Sequence, residues 1–290
     1  MMTPAPAADR RRLRRRHWRS RFMLALTAAA TALILAPLFL ILYYVAREGA
    51  AALTPAFFLQ TPRPVGMPGG GMANAIGGTL ELLAIAILAG VPLGLIGGIY
   101  VAEFRRERFA SGVRFAADVL NGTPTIVVGL FIYAVVVVPM RRFSALAGGL
   151  ALAVIMIPVV LRAAEEVLRG VPKGYRDAAL ALGASRWRMV AGVVLPSARV
   201  GLVSGALLGV ARVAGETAPL LFTAFNNSFW SGYIDQPISS LTVQIYDYAI
   251  SPYASWHAQA WAASLTLIAI IVGIGAAARL TFARRRKGMA

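Results

Sequence analysis

The chain has no cysteine, which excludes disulfides and thiolate metal sites and leaves the redox compartment open. Histidine is nearly absent: His17 and His257 are the only two, too far apart for an H-E-x-x-H metal site. No G-x-x-x-x-G-K-[ST] stretch occurs, so the chain cannot itself cradle nucleotide phosphates in the P-loop manner. No nucleophile and base stand in a recognisable hydrolase arrangement. Acidic residues are scarce as well, 12 Asp and Glu against 29 Lys and Arg, for a net charge of +17. That charge falls in blocks between apolar runs, without the aromatic interleaving that marks single-strand binding. It reads as membrane topology, and nucleic acid is excluded as a partner.

Apolar residues dominate: 58% of the 290 residues are hydrophobic, and they are arranged in long runs. A run of about 20 apolar residues crosses a hydrocarbon core of about 30 Å as a helix. In lipid only helices and closed barrels satisfy their own backbone. The sequence therefore predicts an all-α integral membrane protein with six transmembrane helices at 22–45, 76–102, 119–140, 143–161, 200–224 and 256–278. The six form one domain over 22–282, flanked by basic tails at 1–21 and 283–290. Residues 1–21 hold eight arginines and no predicted structure. A basic stretch before an apolar run resembles a signal peptide, with Ala50-Ala51-Ala52 as a weak cleavage site, but the run exceeds the usual signal core, which favours an uncleaved anchor. Both tails are placed in the cytoplasm, because Lys and Arg concentrate there. The inner segments carry Arg105, Arg106, Arg108, Arg114 and seven basic residues between Arg162 and Arg199; Arg141-Arg142 is the discordant outer pair.

The outer loop TPRPVGMPGGGMANAIGG is too rich in Gly and Pro for a regular element. The last outer loop, 226–256, carries several aromatics and is expected to lie at the membrane interface.

The fifth span places Arg212 and Glu216 inside a lipid-length helix. Each such charge costs on the order of 2.5 to 3.5 kcal/mol on insertion scales, so something must compensate. On an ideal helix Gly201, Gly205, Gly209, Arg212 and Glu216 share an arc of roughly 80°. Glycines at every fourth position form a helix-packing face, and the two charges are spaced to pair at i, i+4. One reading makes the pair a structural lock. The other makes Arg212 a donor-rich stop for a crossing oxyanion, suited by its planar fork, with Glu216 limiting how tightly the anion binds. Arg162 belongs with Glu165, Glu166 and Arg169 to an ion-pair lattice at a helix end, and is a candidate guard of the inner exit. Glu81 has no assigned role.

Between the fourth and fifth spans lies the longest charged interruption, Arg162 to Arg199. Within it, Asp177-Ala178-Ala179, three residues, Gly183, nine residues, then Val193-x-Leu195-Pro196 resembles the EAA loop of ABC-importer permeases. Asp replaces Glu and Val replaces Ile in that pattern. Small alanines let a short helix seat closely, Gly183 permits a reversal, and Pro196 is expected to end the next helix before span five. The stretches RVAGETAPLLFTAFNNSFW, QPISSLTVQIYDYAISPY and PGGGMANAIGGTLELLAIA are similar to phosphate-importer permeases of the PstA type.

That resemblance implies a type I ABC-importer permease, one of two related subunits forming a heterodimeric pore for phosphate in the bacterial cytoplasmic membrane. An ATPase dimer would dock on Asp177, Ala178, Ala179, Gly183, Leu195 and Pro196, and would carry the ATP and Mg, since this chain binds no cofactor and is no enzyme. An extracytoplasmic phosphate-binding protein would dock outside. The resemblance also points to Arg162, Arg212 and Glu216 as the substrate pathway. Permeases for sulfate, molybdate or phosphonate, and a membrane scaffold without transport, are the alternatives.

Overall fold

The computed structural model describes residues 7–64, 67, 69–104 and 108–287; Arg105 and Arg106 lie outside them. Among the described residues there are helices and turns and no strand. The helices in chain order are α1 (Ala7–Ala52), α2 (Pro55–Leu59), α3 (Ala73–Glu103), α4 (Arg108–Gly122), α5 (Thr125–Ile132), α6 (Val138–Met140) and α7 (Ala145–Arg169). They continue with α8 (Lys173–Ala181), α9 (Arg186–Met189), α10 (Leu195–Ala214), α11 (Ala218–Leu221), α12 (Leu241–Ala249) and α13 (Ala254–Lys287). Among the described residues five helices are long and apolar enough to cross a membrane, and six if the bent pair 108–140 counts as one span.

The molecule is built on α7. Two glycine ladders let its neighbours close on it from both sides. On α10, a Cβ at Gly201 would lie 2.6 Å from Val167 Cγ1, at Gly205 2.7 Å from Ala163 Cβ, and at Gly209 2.8 Å from Val160 Cγ2. On α3, Gly90, Gly94 and Gly98 meet Met156, Val160 and Ala164 in the same way. Lipid supplies no hydrophobic force between helices, so close packing against small residues holds them together. Val160 is fully buried between both ladders.

Four expectations need correction. The basic tail is not structureless: α1 starts at Ala7 and continues through the arginines, because arginine is a good helix former and nothing before Pro37 interrupts it. The third span does not begin at Val119. Residues 119–122 belong to α4, and the axis turns by 104° before Thr125, since Pro124 biases Thr123 away from helical backbone. Pro196 does not end a helix. Residues 186–214 form one span, in which a π-turn, Val190–Val194, precedes the proline and Leu195 N–H reaches back to Val190 O. Widening the turn there removes the clash of the proline ring with the carbonyl four residues earlier. Tyr133–Val137 is a second π-turn, placed likewise two residues before Pro139.

The fourth correction is that span five does not reach Ala224. Helix α10 stops at Ala214, Gly215 to Thr217 are not helical, and α11 starts again at Ala218. Elsewhere, Ala73–Gly78 of the glycine-rich outer loop is already the first turn of α3. The last outer loop is docked in part: Leu241, Thr242, Val243, Gln244 and Tyr248 of α12 are buried, and Tyr248 stacks on Trp256 at 4.3 Å, while Phe229, Trp230, Tyr233, Tyr246 and Tyr253 stay exposed, as in a segment at a membrane interface. Its backbone, with that of Thr223 just before it, also caps α7, where the N–H groups of Ser144, Ala145 and Leu146 donate to the Thr223, Gln236 and Ile234 carbonyls at 3.0, 2.9 and 2.9 Å. These are donors that the helix itself leaves unsatisfied. Arg142 is explained by the same loop, which pairs it with Asp235 at 2.6 Å.

Candidate functional site

Arg212 stands in the last turn of α10, where a cation is favoured by the helix dipole. The glycine contact with α7 ends at Gly209, and one turn further on the Arg212 side chain is exposed. Glu216 does not pair with it. Among the described residues neither side chain has an ion-pair or hydrogen-bond partner, which corrects the expected i, i+4 pair. The reason is the break: Gly215 N–H folds back to Arg212 O at 3.4 Å and Glu216 N–H to Val213 O at 3.1 Å. Glu216 therefore leaves the helical face on which it would have met the arginine.

Broken backbone at membrane depth needs partners from elsewhere in the protein. A ladder of hydroxyls supplies them. Thr242 Oγ1 donates to Glu216 O at 3.1 Å and lies 3.2 Å from Ser240 Oγ, while Leu241 N–H donates to Thr79 Oγ1 at 2.8 Å. Thr79, Ser240 and Thr242 went unnoticed in the sequence. Thr79 lies in the second turn of α3, Ser240 caps α12 and Thr242 is in its first turn, and single buried hydroxyls at such places carry no periodic signal. Half-helix ends of this kind, facing a cavity, are where membrane transporters hold ions.

Arg162 is in a different setting. Its Nε donates to Asp118 Oδ1 at 2.9 Å, its Nη2 pairs with the same carboxylate, and its Nη1 donates to Glu165 Oε2 at 2.6 Å. All three nitrogens are engaged. Glu165, only 2% exposed, also accepts from Arg114 Nε at 2.9 Å and pairs with Arg169. The lattice is thus a buried node joining α4 to α7, in place of a solvated run along one helix, and Glu166 stands exposed outside it. The structure does not bring Arg162 and Arg212 together. Arg162 is level with Gly205, and Arg212 lies seven residues further along α10, about 10 Å at the helical rise.

The segment between α7 and α10 is shaped by its sequence. Gly183 has φ +81°, Gly183 N–H donates to Leu180 O and Ala184 N–H to Ala179 O, at 3.0 and 3.1 Å. This is a Schellman close, which needs a left-handed residue. Ala179 faces inward onto Met189, Val190 and Val194, with Leu168 and Ala198 in the same cluster. Asp177, Ala178 and Pro196 face outward, Leu195 is partly buried, and Tyr175, Leu180, Leu182 and Trp187 are exposed beside them. Arg176 fastens α8 to the rest: it pairs with Glu103 at 2.7 Å and donates to the Leu168 and Val171 carbonyls at 2.8 and 2.7 Å. This clamp is not legible from sequence, since its carboxylate lies 73 residues away.

Around α12 lies a polar cluster in which Asn226 Nδ2 donates to Asp247 Oδ2 at 2.9 Å and to Gln244 Oε1 at 3.1 Å. Burial pushes the Asp247 carboxyl above its ordinary 3.8, more than the Asn226 bond pulls it down. The folded state then holds this proton more tightly than the unfolded chain, so stability falls as pH rises from 3.8 through the raised value. Asp247→Asn is expected to melt above wild type at pH 7, with the gap narrowing as the pH is lowered. A lower melting temperature at pH 7 would contradict this.

The family model described as binding-protein-dependent transport system inner membrane component matches residues 90–287. A phosphate transport system permease protein PstA of Yersinia pestis is 40% identical over 279 residues, covering 95% of each chain. That of Pasteurella multocida is 38% identical over 274 residues, covering 94% of this chain and 97% of its own. Among solved structures, an inward-facing MetNI methionine ABC transporter superposes with a TM-score of 0.60 at 20% identity, over 71% of this chain and 92% of that one. An amino acid ABC transporter gives 0.56 at 18%, over 73% and 92%. Fold and near full-length similarity agree: the chain belongs to the inner membrane permeases of binding-protein-dependent ABC importers, in the PstA branch.

Proposed function

We propose that this chain is one permease subunit of an ATP-driven importer that carries inorganic phosphate inward across the cytoplasmic membrane by alternating access. The observation that carries the reading is Arg212, an unpaired guanidinium at a break in a membrane helix. An arginine there is costly unless it serves a polar pathway, and its fork matches a tetrahedral oxyanion. Phosphate, over sulfate, molybdate or phosphonate, is supported by the relatives named for it. A scaffold has no use for such a charge.

In this reading Arg212 receives the anion and Glu216, free of the arginine, weakens its hold through repulsion. Arg162 fixes α4 against α7 and does not touch the anion in this conformation. A second, related permease subunit completes the pore. An ATPase dimer, holding the ATP and Mg, seats on the exposed side of α8, and both termini lie on that cytoplasmic side. An extracytoplasmic phosphate-binding protein docks at the opposite end. Vesicles with the complete complex are expected to accumulate labelled phosphate only with ATP and binding protein, and accumulation by a complex lacking this chain would reject the proposal.

The docking surface has its own test. Ala178 faces outward, so Ala178→Trp is expected to release the ATPase from detergent-solubilised complex while leaving the chain folded. Ala179→Trp would instead disrupt packing beneath α8. Full ATPase retention by Ala178→Trp would count against this seat.

A further inference from the structure

At the end of α7 away from α8, three aromatic rings meet across three elements. Phe225 stacks on Phe143 with centroids 4.9 Å apart, and Tyr133 leans on Phe143 at 6.2 Å. Phe225 has φ +62°. For a bulky side chain this is a genuine outlier, kept only where the surroundings over-determine it, and such residues cluster at switches and ligand clamps. The surroundings here are explicit. Phe225 N–H donates to Leu220 O at 2.8 Å, and Ser144 N–H, next to Phe143, donates to Thr223 O at 3.0 Å. The ring is nevertheless 51% exposed, so burial of apolar area is not what the strain secures.

The third ring sits where its helix is easiest to deform. Tyr133 opens the π-turn ahead of Pro139, and single π-turns inside helices recur at functional positions. Helix α5 is also in direct contact with the segment that follows the break: a Cβ at Gly129 would lie 2.6 Å from Pro219 Cα. The strand of chain from Arg212 through the break and α11 thus leads, within nine residues of Glu216, to the strained Phe225.

We infer that Tyr133, Phe143 and Phe225 form a hydrophobic gate that closes the anion pathway on the side away from α8. A hydrated oxyanion does not pass an apolar constriction, which shuts by losing its water. A shift of α5 at its π-turn, or relaxation of Phe225 from its left-handed backbone, separates the rings. The inference rests on the pathway assigned to Arg212.

The absence of native cysteine makes a direct test available. Thr217→Cys, placed in the break, reports access in complexes whose other subunits lack reactive thiols. A membrane-impermeant thiol reagent is applied from the side opposite the ATPases, without ATP. Labelling is expected to be slow, to rise severalfold when Phe225→Ala is added, and to stay slow with Phe225→Leu. If the Phe225→Ala complex fails to assemble, Tyr133→Ala gives the same readout with Phe225 in place. Equal labelling with and without the rings overturns the gate. Wild-type uptake by Arg212→Gln would overturn the pathway reading instead, so the two failures are separable.

Discussion

Arg212→Gln is expected to cut phosphate uptake by the assembled complex by roughly ten- to a hundredfold, because a hydrogen bond to a charged partner contributes about 1.5 to 3 kcal/mol. Membrane insertion should not suffer. Removing an intramembrane charge makes insertion easier, and among the described residues Arg212 has no hydrogen-bond or ion-pair partner to lose. Arg212→Lys separates charge from geometry: it keeps the cation and loses the paired donors, so its uptake should fall between the two. Complex recovered by affinity purification gives the assembly, and labelled phosphate in vesicles gives the transport. Equal uptake by Arg212→Gln and wild type would remove the arginine from the pathway.

The largest effect on stability is expected at Glu165. Three arginines, Arg114, Arg162 and Arg169, converge on this one buried carboxylate. Breaking a buried pair by deleting one partner costs about 3 to 5 kcal/mol, since the remaining charge is left uncompensated. Glu165→Ala removes the shared acid from three partly exposed arginines, so solvent screens part of that cost, and Asp118 still faces Arg162 and Arg114. The expected result is poor yield of folded chain and a large drop in melting temperature in detergent. Asp118→Ala should do much less, because its carboxylate is half exposed and water can replace it. Comparable melting temperatures for Glu165→Ala and wild type would mean that α4 is held by packing alone.

The two glycine ladders show what could be read from sequence. A four-residue spacing at Gly201, Gly205 and Gly209 marks a packing face without any structure, and the same spacing at Gly90, Gly94 and Gly98 was equally available. The Asp177 to Pro196 pattern was also visible, being local in sequence. The break at Gly215 was not, because a glycine that lets helices touch and a glycine that ends a helix look alike. Pro219 was the better sign: proline favours the first turn of a helix, and here it opens α11. The pairing of Glu165 with Arg162 and Arg169 is legible from its three- and four-residue spacing, whereas the link of Glu165 to Arg114 and that of Glu103 to Arg176 are out of reach for a different reason. These partners lie 51 and 73 residues away, and only the tertiary packing of α4 on α7 and of α8 on α3 joins them.

In the proposed pathway Arg212 receives the anion, and competition between anions tests which one the complex carries. Labelled phosphate uptake into vesicles carrying the complete complex should be followed with excess unlabelled sulfate, and separately with excess arsenate. The account predicts that arsenate, which matches phosphate in shape and protonation, suppresses uptake, while sulfate leaves it unchanged. Suppression by sulfate to the same extent as by arsenate would contradict a phosphate permease.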